Sequence, residues 1–134
     1  MRSFLLMMCA VTALACGSSS DSTGPGADIS GNYILRSANG HALPTPGNVP
    51  IYGNVQILSG SGSIHNSIVQ VEIVTTINGG SPGATGTFQQ SGVVTGPGPS
   101  YTFKFVDGTS ANANCSSGTC TVAYASNTFV FELQ

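Results

Sequence analysis

The feature that most constrains this chain is a two-residue alternation of apolar and polar side chains, which recurs in short segments after residue 27. The clearest case runs from Ser67 to Asn78, where successive side chains would point to opposite faces of a strand. No segment after residue 27 has the convincing 3.6-residue apolar periodicity of a helix. Residues typical of turns separate the alternating runs, so the sequence predicts an all-β domain.

About eight short strands are predicted. The runs are Asn32–Ser37, Ile51–Leu58, Ser67–Asn78, Thr85–Gln90, Tyr101–Val106, Ser110–Asn114, Thr121–Ala125 and Thr128–Leu133. Ser126-Asn127 has the length of a two-residue hairpin turn, and the Pro- and Gly-rich segments Leu43–Pro50 and Gly92–Ser100 are predicted to be loops. Consecutive hairpins favour a small antiparallel up-and-down barrel, with a two-sheet β-sandwich as the alternative.

The inward rows of these strands would form the core. They comprise Leu35, Val55, Ile57, Val69, Val71, Ile73, Phe88, Phe103, Phe105, Tyr124, Phe129 and Phe131. An eight-stranded barrel has room for its own side chains or for one small ligand. Strands of about six residues would make a shallow barrel, which favours a packed core, whereas a cavity above about 300 Å³ would favour a carrier.

Residues 1–15 are predicted to be a signal peptide. Phe4 to Leu14 is an apolar run that is too short to span a bilayer, and it ends in Ala13-Leu14-Ala15-Cys16-Gly17. This ending resembles the lipobox of bacterial lipoproteins and implies cleavage before Cys16, with lipid attached to its sulfur. In the common lipobox order, a large aliphatic residue lies three positions before the Cys, whereas here Leu14 lies two positions before it. Plain export with a free Cys16 is therefore the alternative.

Residues 16–27 are predicted to be a flexible tether, because positions 17–26 contain no apolar residue that could enter a core. Acyl chains on Cys16 would then hold the domain, residues 28–134, on a membrane. Gly17, rather than Asp, after the Cys resembles the signal for onward transport to an outer membrane. The expected location is therefore the cell envelope, at the outer membrane.

Two of the four cysteines remain once Cys9 and Cys16 are assigned to the leader and the anchor. Four Ser, Gly and Thr residues separate Cys115 from Cys120, a spacing that suits a hairpin whose strand ends are joined by a disulfide. A metal site would need more ligands, and a redox motif would need Cys-x-x-Cys at the start of a helix. The pair is therefore predicted to be a structural disulfide.

Several short motifs carry a resemblance to a known family. Ile29 to Leu35 reads ISGNYIL, and Ala38 to Pro44 reads ANGHALP. The later segments are Thr85–Phe88, Tyr101–Phe103 and Ser126–Phe129. Together they resemble small lipocalin-like bacterial lipoproteins, and the resemblance covers Asp28 to Gln134. It implies a lipocalin-like barrel. Tyr33 stands where true lipocalins carry Trp, so ligand binding of the lipocalin type does not follow from it.

Charged residues make up only 6% of the chain, and the formal net charge is −2. This scarcity excludes a nucleic-acid binder that neutralises phosphates with clustered Lys and Arg. Glu72 and Glu132 fall on outward rows, so no paired acid–base site with Asp28 or Asp107 is indicated. The sequence also lacks a nucleophile elbow and a phosphate-binding loop.

The histidines and the cations are the remaining polar candidates. His41 and His65 fall in predicted turns, where solvated surface groups are expected rather than metal ligands. Arg36 and Lys104 are also expected on the surface, with an anion held at the barrel mouth as the alternative. No cofactor is predicted.

The sequence as a whole predicts a non-catalytic, lipid-anchored envelope protein with a structural or interaction role. A carrier of a small apolar ligand is the alternative. The expected partners are a membrane, through the anchor, and an envelope protein or a small apolar ligand.

Overall fold

The computed structural model describes residues 28–78 and 80–134. The predicted signal peptide, the tether and Cys16 lie outside the described residues. The described chain forms ten β-strands: β1 (Gly31–Ala38), β2 (His41–Ala42), β3 (Thr45–Val49), β4 (Gly53–His65), β5 (Ile68–Thr76), β6 (Thr85–Thr95), β7 (Ser100–Phe105), β8 (Ser110–Ser116), β9 (Thr119–Tyr124) and β10 (Asn127–Leu133).

Eight of these strands close into an antiparallel barrel. From β4 to β10 each strand pairs with the next, β10 pairs with β1, and β1 pairs back onto β4. The closing register places Tyr33 of β1 opposite Gly62 of β4 and opposite Leu133 of β10. The predicted all-β up-and-down barrel is therefore confirmed, and closure leaves its eight strands without a free edge along the β1–β4 contact.

The two ends of the barrel are defined by their turns. The lower end contains the start of β1 and the tight turns Asn66-Ser67 and Ser117-Gly118, and the upper end contains Asn39-Gly40. Both residues of each of these three turns have positive φ, between 50° and 79°. Such turns twist in the same sense as the strands they join, which is why they connect neighbouring strands at both ends.

The barrel wall divides at the upper end. The last residues of β1, Ser37 and Ala38, pair with β2, while the first residues of β4 pair with β3. The prediction that Leu43–Pro50 is a loop is therefore wrong, because Thr45 and Val49 point into the core and β3 adds to the edge of β4. Pro46 is tolerated there because an edge strand does not need every N–H for pairing.

Two strands, β4 and β6, extend well beyond their predicted ends. β4 has 13 residues, and its second half, from Ser59 to Ser63, is an alternation of Ser and Gly with no apolar signal. Pairing with both β1 and β5 forms this half of the strand. β6 has 11 residues and continues into the predicted loop Gly92–Ser100. A Cβ on Gly92 would clash with the Lys104 carbonyl oxygen, so glycine there permits close approach of β7.

The β9–β10 turn lies one residue earlier than predicted. Ala125 and Ser126 form it, and Asn127 pairs with Tyr124 as the first residue of β10. Asn127 is buried, with 4% of its surface exposed. Burial of Asn127 therefore sets the register of β10 against β9. Ile77, which the alternation placed on the apolar row, lies after the end of β5 and is exposed.

The core follows the predicted inward rows. All twelve residues assigned to them are buried or packed against the buried cluster. Cys115 and Cys120 are cross-strand partners in β8 and β9, their side chains face this core, and they form the predicted disulfide. The hairpin turn is only Ser117-Gly118, so both strands continue past the cysteines.

Candidate functional site

The barrel interior is filled by its own side chains. The ring centroid of Tyr124 lies 5.3 Å from that of Phe105 and 6.0 Å from that of Phe88. Further along β10, the rings of Phe129 and Phe131 are 6.4 Å apart. Two voids that adjoin Phe131 each have a volume of about 20 Å³. Such a void has room for about one water molecule, whereas ligand pockets measure roughly 300 Å³ or more. The interior is packed rather than hollow.

A polar cluster covers the interior at the upper end, between β6, the turn after β7, and β9. Gln90 Nε2 donates to Asp107 Oδ2 at 2.5 Å and to Tyr124 Oη at 3.3 Å. Thr109 donates to Asp107 Oδ1 from its hydroxyl at 2.6 Å and from its N–H at 2.8 Å. The hydrogen bonds from Thr109, and then that from Gln90, hold the pKa of Asp107 below its usual value. Asp107 is thus kept as a carboxylate, the opposite of what a general acid requires.

Two asparagine side chains, those of Asn39 and Asn127, close the divided wall at the same end. Asn127 Oδ1 accepts hydrogen bonds from the Asn48 N–H and from Asn39 Nδ2, both at 3.1 Å. Asn127 Nδ2 donates to the Asn48 carbonyl, and Asn39 Oδ1 accepts from the Thr128 N–H at 2.9 Å. The Asn127 amide therefore takes the place of a peptide group in a neighbouring strand and satisfies the outer edge of β3.

The two histidines lie at opposite ends of the barrel. His41 pairs with Ala38 at the upper end, whereas His65 ends β4 at the lower end, where its Nε2 is 3.4 Å from Asn32 Oδ1. The prediction that His65 lies in a turn is wrong, because β4 extends to it. Within residues 28–78 and 80–134, no group of three or more His, Cys, Asp or Glu side chains could hold a metal ion.

The charged side chains of the described chain are dispersed over the outer surface, apart from one ion pair. Arg36 Nε lies 2.8 Å from Glu132 Oε2 in an exposed ion pair, and Lys104 is exposed on the outward row of β7. Glu72 accepts a hydrogen bond from Gln89 Nε2 at 2.7 Å. This arrangement places both cations on the barrel wall, so the alternative of an anion at the mouth gains no support.

Asp28 lies at the lower end, away from Asp107. Its carboxylate accepts a hydrogen bond from the Ser30 N–H at 2.9 Å. That bond lowers the pKa of Asp28 by favouring the charged form. The four carboxylates of the described chain thus belong to separate hydrogen-bonded groups at different places, and the structure brings no two of them together as an acid–base pair.

The outer wall of the barrel carries a groove that the sequence did not predict. It has a volume of about 680 Å³ and extends across β1, β4, β5 and β6. The outward side chains that line it are Asn32, Ile34, Ser61, Ser63, Gln70, Glu72, Gln89, Ser91 and Gln134. The sequence feature that could have predicted the groove is the Ser-Gly alternation of β4. Small outward side chains flanked by long amide side chains leave a depression along a strand.

The described chain, residues 28–78 and 80–134, includes no helix long and apolar enough to cross a membrane. Comparison with known proteins finds no protein-family model, no curated protein and no solved structure that matches the chain.

Proposed function

We propose that this chain is a lipid-anchored protein of the cell envelope, located at the outer membrane, whose lipocalin-like barrel is a non-catalytic structural or interaction domain. The observation that carries the proposal is the packed interior. With voids of about 20 Å³ inside and a polar outer wall, contacts with other molecules fall to the outer surface. The lipobox-like sequence at Cys16 supports the anchored location.

The position of the first strand determines which end of the barrel would be attached to such an anchor. The chain enters the barrel at the lower end, where the Tyr33 hydroxyl donates to the Ile29 carbonyl at 2.6 Å. Burial of the Tyr33 ring raises the pKa of this hydroxyl, so it stays protonated as the donor. A tether from Cys16 would therefore join the barrel at its lower end, on the opposite side of the domain from the upper loops.

The carrier alternative is less well supported by the same interior. A guest of ordinary ligand size would have to displace several core aromatic side chains such as Phe88, Phe105 and Phe131. Native mass spectrometry of protein purified from its host tests this alternative. A small molecule that co-purifies in stoichiometric amount would favour the carrier over an interaction domain.

The anchor is tested by Cys16→Ala in a bacterial host that processes lipoproteins. We expect the unaltered chain in the membrane fraction, with radiolabelled fatty acid incorporated, and Cys16→Ala in the released fraction without label, because the acyl chains supply the membrane affinity. Cys9→Ala is the matched control, since Cys9 lies in the predicted leader, and it should remain anchored. Retention of Cys16→Ala on the membrane, or a mature protein that begins at Met1, would refute the proposal.

A further inference from the structure

The outer-wall groove has a floor built from the smallest side chains. Ser61 and Ser63 point outward from β4, and Gly60 and Gly62 alternate with them. A Cβ on Gly60 would lie 2.9 Å from Ile73 Cδ1 and 3.0 Å from the Glu72 carbonyl oxygen, so the strand is held tightly against its neighbour. The floor is thus a fixed surface of the barrel wall.

The backbone of the floor is already fully engaged by its neighbours. Residues Ser61 to Ile64 of β4 pair with β1 on one side and with β5 on the other. An extended peptide that binds by adding a strand needs a free sheet edge, which this part of β4 does not offer. Recognition in the groove must therefore come from side chains.

Those side chains are almost all uncharged hydrogen-bonding groups. Amides come from Asn32, Gln70, Gln89 and Gln134, and hydroxyls come from Ser61, Ser63 and Ser91. Glu72 is the one charged side chain of the described lining, and it already accepts a hydrogen bond from Gln89. The side chains of Ser61, Ser63, Gln70 and Ser91 make no hydrogen bond to another described residue, and all of them except the half-buried Ser63 are exposed.

This set of groups selects one ligand chemistry. Amides and hydroxyls both donate and accept, which matches the hydroxyl and N-acetyl groups of a sugar. The lining has no cation for a phosphate or a nucleic acid, and its polarity does not suit a purely apolar guest. Ile34, half-buried on the β1 side, offers an apolar contact for the C–H face of a sugar ring. The volume of about 680 Å³ lies in the range of small-molecule sites.

We propose that the groove across β1, β4, β5 and β6 binds an uncharged oligosaccharide. The inference deepens the proposed interaction role and rests on it, since an envelope location would supply such a glycan. The ligand lies along the Ser61 and Ser63 floor, with Gln70, Gln89 and Ser91 donating and accepting hydrogen bonds on one side and Asn32 and Gln134 on the other.

The test is titration of the purified full chain with chitotetraose and, separately, with maltotetraose, followed by calorimetry and by amide chemical shifts. We expect saturable binding of at least one of them, with shifts confined to the groove strands. Gln70→Ala should weaken binding about tenfold, because it removes the hydrogen bonds of one amide side chain. Ser61→Leu should abolish binding by filling the floor.

Gln56→Ala is the matched control, because Gln56 is an exposed glutamine on β4 outside this groove. It should bind as the unaltered chain does, and all variants should keep the same thermal unfolding midpoint. Absence of saturable binding to both tetrasaccharides, or binding that Gln70→Ala and Ser61→Leu leave unchanged, would overturn the proposal. Loss of a protein partner in these variants, without saccharide binding, would do the same and make the groove a protein site. Because the measurement is made in solution, it is independent of whether Cys16 is acylated.

Discussion

Ile51 occupies a backbone conformation that usually belongs to glycine. It follows Pro50 in the turn between β3 and β4, where the Tyr52 N–H donates to the Val49 carbonyl at 3.1 Å. Its φ is 80°, which a β-branched residue rarely adopts, and 87% of its surface is exposed. The residue therefore carries backbone strain without gaining burial in return.

Ile51→Gly should stabilise the fold. Relief of the strained φ is worth about 1–3 kcal/mol and outweighs the greater flexibility of glycine in the unfolded chain, which costs about 0.5–1 kcal/mol. We expect a net gain of about 1 kcal/mol in the free energy of unfolding, measured by urea denaturation. Val106→Gly is the control, because Val106 is similarly exposed, at 84%, but is not among the positive-φ residues. Equal effects of the two substitutions would contradict the strain argument.

Thr75 buries a polar group that the fold does not satisfy. Its side chain is fully buried among the inward residues of β5, and its hydroxyl oxygen has no hydrogen-bond partner in the described chain. Desolvation of an unpaired hydroxyl is unfavourable, whereas a methyl group of the same shape would pack in its place.

Thr75→Val should therefore raise the free energy of unfolding by about 1 kcal/mol. The readout is the shift in the urea midpoint at an unchanged slope. Thr76→Val supplies the contrast, because the Thr76 hydroxyl accepts a hydrogen bond from the Gln56 N–H at 3.0 Å and its loss should destabilise. Destabilisation by Thr75→Val would indicate that the hydroxyl has a partner, such as a buried water.

At the scale of strands, the upper end of the barrel is the part that the apolar–polar alternation of the sequence predicts least well. β3 has no full strand on its outer side, and the Asn127 amide supplies one hydrogen-bonding unit there instead. The sheet therefore ends at a side chain rather than at an open edge. An open edge could pair with a strand of another chain.

Asn127→Ala should destabilise the domain by about 1–3 kcal/mol, because it leaves the Asn48 N–H and carbonyl without partners. Hydrogen exchange at the Asn48 amide should accelerate at the same time. Asn112→Ala, an exposed asparagine on β8, serves as the comparison and should have little effect. If both variants unfold alike and exchange at Asn48 does not change, the amide does not stabilise the β3 edge.

The sequence predicted the strands whose signal is local. Val69, Val71 and Ile73 of β5 alternate strongly, and every inward position assigned to the core proved buried or packed against it. β3 and the second half of β4 escaped prediction because Thr, Gly and Ser carry no apolar period. Their structure depends on pairing with strands distant in the chain. The outer groove was missed for the same reason, since only the closed barrel brings Asn32 beside Ser63 and Gln70.

At the scale of the whole molecule, closure depends on contacts that are remote in sequence. β1 and β10 pair along most of their length, although nearly the entire domain separates them in the chain. Such non-local pairing makes the closed barrel a cooperative unit and slows its folding compared with a helical protein of equal size. By contrast, the disulfide joins two neighbouring strands through a turn of two residues.

Replacing both Cys115 and Cys120 by Ala should therefore weaken the barrel without abolishing it. In the chain-entropy model, a disulfide that closes a ring this small adds about 2 kcal/mol to the free energy of unfolding. That is less than the total of roughly 5–15 kcal/mol expected for a domain of this size. Denaturation should show one cooperative transition at lower urea for the double variant. In the unaltered chain, both thiols should resist alkylation until reduction. Free thiols in the native protein, or a double variant that does not fold, would contradict this role.

The scarcity of charge has a consequence for the conditions the domain tolerates. Residues 28–134 contain six Asp, Glu, Lys and Arg side chains. The one ion pair among them in the described chain, Arg36–Glu132, is half exposed. Exposed ion pairs of this kind contribute little to stability, and salt screens what they do contribute. A fold held by strand pairing and apolar packing is therefore largely decoupled from ionic strength. The unfolding midpoint of the domain should therefore be much the same in dilute medium and in brine.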